Sequence, residues 1–254
     1  MRAMLILCVI LTAPALADVT TETVAYRHGD TELQGFLAYP DDAEGMLPGV
    51  LVVHEWWGLN EHAKDKAEQL AEAGYVALAL DMYGQGKSTE HAEEAGEWSK
   101  QVRRNEEMMQ QRFRAAHEVL RDDPRTDPER IAAIGYCFGG YVVLSMAAQG
   151  AELQGVVSFH GSLPTEPVEA GAVKAKVLVC HGGADPLTTR EQIQQFQETM
   201  TAAGADWVFI TYGGAKHSFT NPEADERGMA PLGYDASADA RSWRHMLDFF
   251  NEVL

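Results

Sequence analysis

Residues 130–148 constrain the fold of this chain more than any other stretch. An apolar run rich in Ile and Ala leads into Gly-Tyr-Cys-Phe-Gly-Gly, and a second apolar run follows at 141–148. This pattern predicts a strand, a sharp turn with Cys137 at its apex, and a helix. Gly135 and Gly139 suit such a turn because the strand and helix backbones approach too closely there for side chains.

The predicted turn would give Cys137 the setting of a nucleophile. It would hold the sulfur at the carboxyl edge of a sheet, above the N-terminus of the following helix. Backbone N–H groups and the helix dipole at that point stabilise a thiolate or an oxyanion. The alternative is a buried structural cysteine, since free cysteines are among the most buried residues. This segment alone leaves both interpretations open.

The apolar runs around this turn predict an α/β fold, with a mostly parallel sheet and helices on both faces. Two stretches rich in Thr, Val and aromatics flank Gly29-Asp30 and predict an antiparallel hairpin at one edge. The further strands are expected at 49–54, 75–80, 155–161, 175–182 and 206–212. The further helices are expected at 61–73 (capped by Asn60), 89–121 (one long or broken helix), 188–203 and 236–254. No linker-like segment interrupts this pattern, so we predict a single domain over 18–254.

Residues 1–17 have the pattern of a secretory signal peptide. Arg2 gives a basic start, a short apolar core follows, and Ala15-Leu16-Ala17 forms a small-x-small end. The pattern predicts export to the periplasm or the medium, with cleavage after Ala17. The alternative is a buried N-terminal helix, because the apolar part is too short to span a bilayer.

The charge of the chain limits its partners. The formal net charge is −18, and the acidic residues are dispersed along the sequence. This balance favours solubility and argues against nucleic acid or an anionic membrane as a partner. We expect a monomer that acts on a small molecule and needs no cofactor.

Two cysteines remain after the signal peptide is removed. In an oxidising compartment Cys137 and Cys180 could form a disulfide. The predicted strands place a third strand between them, roughly 9–10 Å of separation at about 4.8 Å per strand, which exceeds the reach of a disulfide. We therefore predict two free thiols.

Two later loops supply the partners that a cysteine nucleophile needs. A base must reach the thiol, and a third group must fix the tautomer of the base. Asp185 and His217 each follow a predicted strand, and the order Cys137, Asp185, His217 is the nucleophile–acid–base order of the α/β-hydrolase fold. Singly, Asp185 could be a turn residue and His217 an exposed loop histidine. Together the three residues predict a catalytic triad.

Backbone N–H groups near the turn are candidates for an oxyanion hole. One would come from Phe138, directly after the nucleophile, and the other from Trp56, in the loop after an earlier strand. Backbone donors suit this task because they are already fixed where charge develops. Trp56, Trp57, Tyr83 and Phe138 would also form an apolar wall beside the substrate, unless these aromatics belong to the core.

Several motifs together resemble the dienelactone hydrolase family. They are the cysteine turn at 135–140, His-Glu-Trp-Trp-Gly-Leu-Asn at 54–60, Asp-Met-Tyr at 81–83, His-Gly-Gly-Ala-Asp at 181–185 and His-Ser-Phe-Thr-Asn-Pro at 217–222. The resemblance extends over nearly all of the chain after residue 17. It implies an α/β-hydrolase fold and hydrolysis of esters or lactones through an acyl-cysteine.

The resemblance also implies a role for Glu55. In the family, a glutamate at this position contacts the resting thiol and changes partner when substrate binds. Cys137 would then become a thiolate only on demand, which would protect it from oxidation. The alternative for Glu55 is a solvated loop carboxylate.

Two positions depart from the family pattern. Members that hydrolyse dienelactone hold the substrate carboxylate with two arginines, and the matching positions here are Gln85 and Asn221. A neutral amide cannot replace a charged, bidentate clamp. We therefore expect Gln85 and Asn221 to contact a neutral or differently held ester.

The sequence leaves two alternatives to a metal-free hydrolase. His160 and His181 end neighbouring predicted strands, but their spacing matches no zinc pattern, so we expect no metal. An α/β-hydrolase scaffold can also serve as an exported ligand-binding protein without turnover. The leading hypothesis is an exported carboxylic-ester or lactone hydrolase.

Overall fold

Eight strands form one sheet in the computed structural model, which describes residues 18–42 and 44–254. The predicted signal peptide lies outside the described residues. The strands are β1 (Val19–His28), β2 (Thr31–Pro40), β3 (Leu47–Val53), β4 (Val76–Leu80), β5 (Thr126–Tyr136), β6 (Gly155–Phe159), β7 (Lys176–Gly182) and β8 (Trp207–Tyr212). Their order is β1-β2-β4-β3-β5-β6-β7-β8. β2 pairs antiparallel with β1 and β4, and the other neighbours are parallel, so the predicted α/β-hydrolase architecture is confirmed.

Helices cover both faces of this sheet. Those of the described chain are α1 (Glu61–Glu72), α2 (Ala92–Arg104), α3 (Glu106–Arg121), α4 (Phe138–Ala148), α5 (Arg190–Ala202) and α6 (Ala236–Val253), with a short 3-10 helix at Ala224–Arg227. Apolar side chains of α3, α4 and α5 pack on one face of the sheet, and those of α1 and α6 pack on the other. None of the helices between residues 18 and 254 is long and apolar enough to cross a membrane.

One helix start agrees with the sequence-based expectation, and the capping of another differs from it. The segment predicted as one long or broken helix is broken at Asn105, whose side-chain oxygen accepts a hydrogen bond from the Met108 N–H at 3.0 Å and so caps α3. Asn60 stands at the start of α1, but its side chain caps nothing. Its backbone carbonyl accepts the first hydrogen bonds of the helix instead, from Ala63 and Lys64.

The parallel strands place the candidate residues at one edge of the sheet. Cys137 follows β5, the loop that begins at His54 follows β3, and Asp185 and His217 follow β7 and β8. Cys180 lies within β7, and β6 runs between it and the Cys137 turn. Both cysteines are free thiols, as predicted.

Candidate active site

The turn at Cys137 is a strained elbow. Cys137 has φ 53° and ψ −110°, a conformation that residues with side chains rarely adopt. A Cβ on Gly135 would come within 2.1 Å of the Gly139 carbonyl oxygen, and one on Gly139 within 2.2 Å of the Val53 carbonyl oxygen. Since both obstacles are backbone atoms, only glycine fits at either position. The elbow lifts the half-buried Cys137 above the N-terminus of α4.

Asp185 and His217 form a buried, hydrogen-bonded pair beside the elbow. His217 Nδ1 donates to Asp185 Oδ2 at 2.8 Å, and the second carboxylate oxygen accepts from the Leu187 N–H at 2.8 Å. This bond fixes the histidine tautomer. The other ring nitrogen, Nε2, has no hydrogen-bond partner among residues 18–42 and 44–254, and His217 and Cys137 line the same cavity. The structure thus brings together the three residues of the predicted triad.

The electrostatics of His217 favour its protonated form. Burial lowers the pKa of His217, but the charge of the nearby Cys137 sulfur and the hydrogen bond to Asp185 outweigh burial and raise it to about 10. A cationic imidazole next to a thiolate is the arrangement that activates cysteine nucleophiles.

The loop after β3 is fixed where an oxyanion hole would form. The Glu55 carbonyl oxygen accepts from His54 Nδ1 at 2.5 Å and from the Gly58 N–H at 3.2 Å. Because a peptide unit is planar and trans, these bonds also fix the Trp56 N–H, which points the opposite way. The Tyr83 hydroxyl donates to the Trp56 carbonyl at 3.1 Å and holds the next peptide. The second candidate donor, the Phe138 N–H, belongs to the first turn of α4, where N–H groups have no acceptor within the helix.

Glu55 is fully buried, but its partners are not those that the resemblance implies. Its carboxylate accepts from Ser218 Oγ at 2.7 Å and from Asn221 Nδ2 at 2.6 Å, and His62 Nδ1 lies 3.9 Å away. The expectation that Glu55 contacts the resting Cys137 thiol is therefore corrected. Among the described residues, this carboxylate accepts its hydrogen bonds from Ser218 and Asn221. Glu55 therefore holds the loop that carries His217. A gating exchange of partners stays a prediction.

A cavity of about 420 Å³ opens in front of the nucleophile. It is mostly apolar, and its walls come from the Trp56 loop, α2, the elbow and the segment after the 3-10 helix. The lining residues are Trp56, Gly96, Ser99, Lys100, Arg103, Cys137, Phe138, Ser162, Leu187, His217, Met229, Pro231 and Leu232. Trp56 and Phe138 thus form part of the wall, as expected.

Four other residues were expected to contact the substrate, and none of them lines this cavity, so that expectation is corrected. They are Trp57, Tyr83, Gln85 and Asn221. Trp57 is 2% exposed and packs under the guanidinium of Arg227, and the ring of Tyr83 is buried against its neighbours. Gln85 is exposed on a loop that the Asp81 carboxylate ties down through three backbone N–H groups. Asn221 is buried and donates to Glu55.

Sequence reasoning missed the contribution of α2 to the cavity. The apolar spacing of this helix predicts core, and Val102 is indeed buried. Lys100 and Arg103 lie on an adjacent face of the same helix and line the cavity. The sequence carries no signal for which face of an amphipathic helix borders a cavity, since the neighbouring elements decide that.

His160 and His181, the two histidines considered as metal ligands, are buried against other side chains. His160 is buried, its Nε2 contacts Thr220 Oγ1 at 2.8 Å, and its ring centroid lies 5.3 Å from that of His217. His181 is buried with its ring 5.6 Å from that of Phe209. In the part of the chain that the structure describes, no cluster of three or more His, Cys, Asp or Glu side chains is arranged to hold a metal ion.

Comparisons with known proteins give relatives of similar sequence and similar fold. The sequence model of the dienelactone hydrolase family matches residues 33–254. A Yersinia pestis protein named "Putative carboxymethylenebutenolidase" is 31% identical over 244 residues, which cover 91% of this chain and 87% of that protein. The crystal structure of a dienelactone hydrolase-like promiscuous phosphotriesterase from metagenomic libraries is 38% identical, with a TM-score of 0.89 over 92% of this chain and 98% of the other. Dienelactone hydrolase from Anabaena variabilis is 24% identical, with a TM-score of 0.62 over 90% and 97%, and shares the fold.

Proposed function

The chain belongs to the dienelactone hydrolase family, and on that premise we propose that it hydrolyses carboxylic esters or lactones through an acyl-cysteine on Cys137. One observation carries the proposal. Cys137, raised on a strained elbow, faces the same cavity as His217, whose other ring nitrogen is held by Asp185 at 2.8 Å. That is the geometry of a nucleophile, a base and the group that orients the base.

The proposed reaction has two halves. The thiol proton already rests on His217, the Cys137 thiolate bonds to the carbonyl carbon, and the oxyanion is held by the Trp56 and Phe138 N–H groups. The carbon–oxygen bond then breaks, and His217 Nε2 gives its proton to the departing alkoxide. In the second half His217 takes a proton from water, the hydroxide attacks the acyl carbon, and the thiolate leaves. In this scheme Glu55 supports the His217 loop through Ser218 and Asn221.

Short p-nitrophenyl esters test the proposal. We expect turnover by the wild-type enzyme, a mass increase equal to the acyl group on the intact protein, and at least a 10³-fold loss of kcat in the Cys137→Ala and His217→Ala variants. Full activity in either variant would refute the scheme. No acyl-enzyme with any activated ester, together with unchanged ligand binding in Cys137→Ala, would instead favour the ligand-binding scaffold.

The substrate panel also includes a neutral phosphotriester. A similar solved structure is named as a promiscuous phosphotriesterase, at 38% identity. In that reaction the Cys137 sulfur bonds to phosphorus and expels one alkoxide, which takes its proton from His217, while the N–H donors hold the phosphoryl oxygen. Water, deprotonated by His217, then cleaves the sulfur–phosphorus bond and frees the thiolate. Turnover there should depend on Cys137, as it does with esters.

Export remains part of the proposal, and it rests on the pattern of residues 1–17. We expect the mature protein recovered from the producing cell to begin at Asp18 and to fractionate outside the cytoplasm. Recovery of the intact N-terminus from the cytoplasm would contradict export and leave the catalytic proposal unaffected.

A further inference from the structure

The side chain of Arg103 forms part of the wall of the apolar cavity. The guanidinium of Arg103 lies 4.4 Å from the ring centroid of Tyr141 and 5.7 Å from that of Phe138. One of its nitrogens, Nη2, donates to Ser162 Oγ at 3.3 Å. Arg103, Phe138 and Ser162 line the cavity together with Cys137. The aromatic rings and the hydroxyl therefore hold the guanidinium beside the nucleophile.

This cation has no counter-ion in the described chain. No carboxylate of residues 18–42 or 44–254 lies within 4.0 Å of Arg103, although the sequence holds 38 Asp and Glu against 20 Lys and Arg. The residues that line the cavity include no Asp or Glu. The second cation of the lining, Lys100, pairs with the exposed Glu97 at 3.4 Å. Arg103 is half-buried, and it also borders a neighbouring cavity lined by Glu106, Glu166 and Glu169, none of which forms an ion pair with it. On the side of Cys137, a carboxylate partner for Arg103 would have to come from a ligand.

From this geometry we infer that Arg103 forms a carboxylate subsite, and that the substrates are esters or lactones carrying a second, anionic group. A guanidinium has five N–H donors, and one hydrogen bond to Ser162 leaves an edge that can bind a carboxylate bidentately. Stacking on Tyr141 fixes the plane of that fork. The ester is thus held differently, from α2, while Gln85 and Asn221 take no part. This inference rests on the proposed function, because it places the subsite beside Cys137 as nucleophile.

A pair of substrates differing only in charge tests the subsite. p-Nitrophenyl monoadipate carries a carboxylate, and its methyl ester is the neutral match; each rate is corrected for spontaneous hydrolysis. We expect Arg103→Gln to lower kcat/KM for the monoadipate by about 10- to 100-fold, mainly through KM, because it removes a charge-assisted hydrogen-bond pair. The neutral ester should change by less than about 3-fold, and Arg103→Lys should recover part of the loss.

Arg104 on the same helix provides the matched control. It is exposed and does not line the cavity, so Arg104→Gln makes the same change in net charge outside the site. Both substrates should then behave as with the wild-type enzyme. An equal loss on the charged and neutral esters in Arg103→Gln would indicate only a packing role for Arg103. If Arg104→Gln lowered kcat/KM for the monoadipate as much as Arg103→Gln does, the loss would come from the change in net charge and not from a local contact. Either result overturns the subsite.

A second measurement does not depend on turnover. Cys137 can be alkylated by 6-maleimidohexanoate or by its neutral methyl ester, while Cys180 is fully buried and protected. We expect the ratio of the two rates to fall at least 5-fold in Arg103→Gln and to stay unchanged in Arg104→Gln. If no ester is hydrolysed, the proposed function fails, yet this ratio still decides on the subsite. An equal ratio in the wild type and Arg103→Gln overturns it even if ester hydrolysis is found.

Discussion

Replacing Asn221 by Leu should destabilise the fold, because Asn221 stabilises a buried charge. Glu55 has no exposed surface, and two of its contacts are hydrogen bonds, from Asn221 at 2.6 Å and Ser218 at 2.7 Å. The third neighbour, His62, is 3.9 Å away, and its burial lowers its pKa, so it is neutral at pH 7. Asn221→Leu keeps the approximate shape of the side chain and removes one of two strong donors.

The loss of unfolding free energy in Asn221→Leu can be estimated from these contacts. A hydrogen bond to a charged group contributes about 1.5–3 kcal/mol, and the lost bond from the Glu223 N–H to Asn221 Oδ1 adds about 1 kcal/mol. We expect a fall of about 3 kcal/mol in the free energy of unfolding. A double-mutant cycle with Glu55→Gln separates the two contributions, because the neutral amide of that variant needs no charge stabilisation. The coupling free energy should be about 1–2 kcal/mol.

Urea unfolding of the wild type, the two single variants and the double variant measures their stability. Ester kinetics on the same four proteins measure what the Glu55–Asn221 bond contributes to catalysis. The Glu55–Asn221 bond links the loop after β3, which carries the Trp56 N–H, to the loop of His217, so kcat should fall more than KM rises. Additive effects within about 0.5 kcal/mol would refute the buried-charge argument. Unchanged stability with a raised KM for every ester would restore Asn221 as a substrate contact.

Two further predictions concern the loop after β3 and the Cys137–His217 pair. Tyr83→Phe removes the hydrogen bond to the Trp56 carbonyl and should lower kcat up to about 10-fold with little change in KM, as measured on a neutral p-nitrophenyl ester; an effect confined to KM would contradict a positioning role. The pKa of His217 is raised from 6.5 to about 10, so the stability that its charge provides is complete below pH 6.5 and is lost as the pH rises towards 10. The difference in unfolding free energy between the wild type and His217→Ala should shrink over that range in urea titrations, and a pH-independent difference would contradict the Cys137–His217 charge pair.

The elbow and the triad could be predicted from the sequence because the topology of a parallel sheet determines where these residues lie. Each of the three residues follows a strand, and the carboxyl ends of parallel strands meet at one edge of the sheet. The glycines around Cys137 could be predicted for a similar reason. The close approach of β5 and α4 depends on backbone geometry alone, and it is seen in the 2.1 Å and 2.2 Å contacts that a Cβ would make.

The partners of loop side chains could not be predicted in this way. Glu55 and Asn221 are 166 positions apart, and their hydrogen bond depends on how two loops pack after the sheet has formed. A motif gives the position of such a residue, but its rotamer depends on neighbours that the motif does not contain. For the same reason Asn221, expected beside the substrate, donates its side-chain hydrogen bond to the buried Glu55 instead.

The net charge and the local charge of this protein act in opposite directions on an anionic substrate. The formal net charge of −18 repels anions at long range, but in about 0.1 M salt that repulsion is screened beyond roughly 10 Å. At the cavity the lining holds Arg103 and Lys100 and no acidic side chain, so a bound carboxylate would meet cationic side chains and no Asp or Glu of the lining. An acidic sequence therefore argues against nucleic acid as a partner, since a polyanion would span the whole repulsive surface. It does not argue against a small carboxylate that reaches only the cavity.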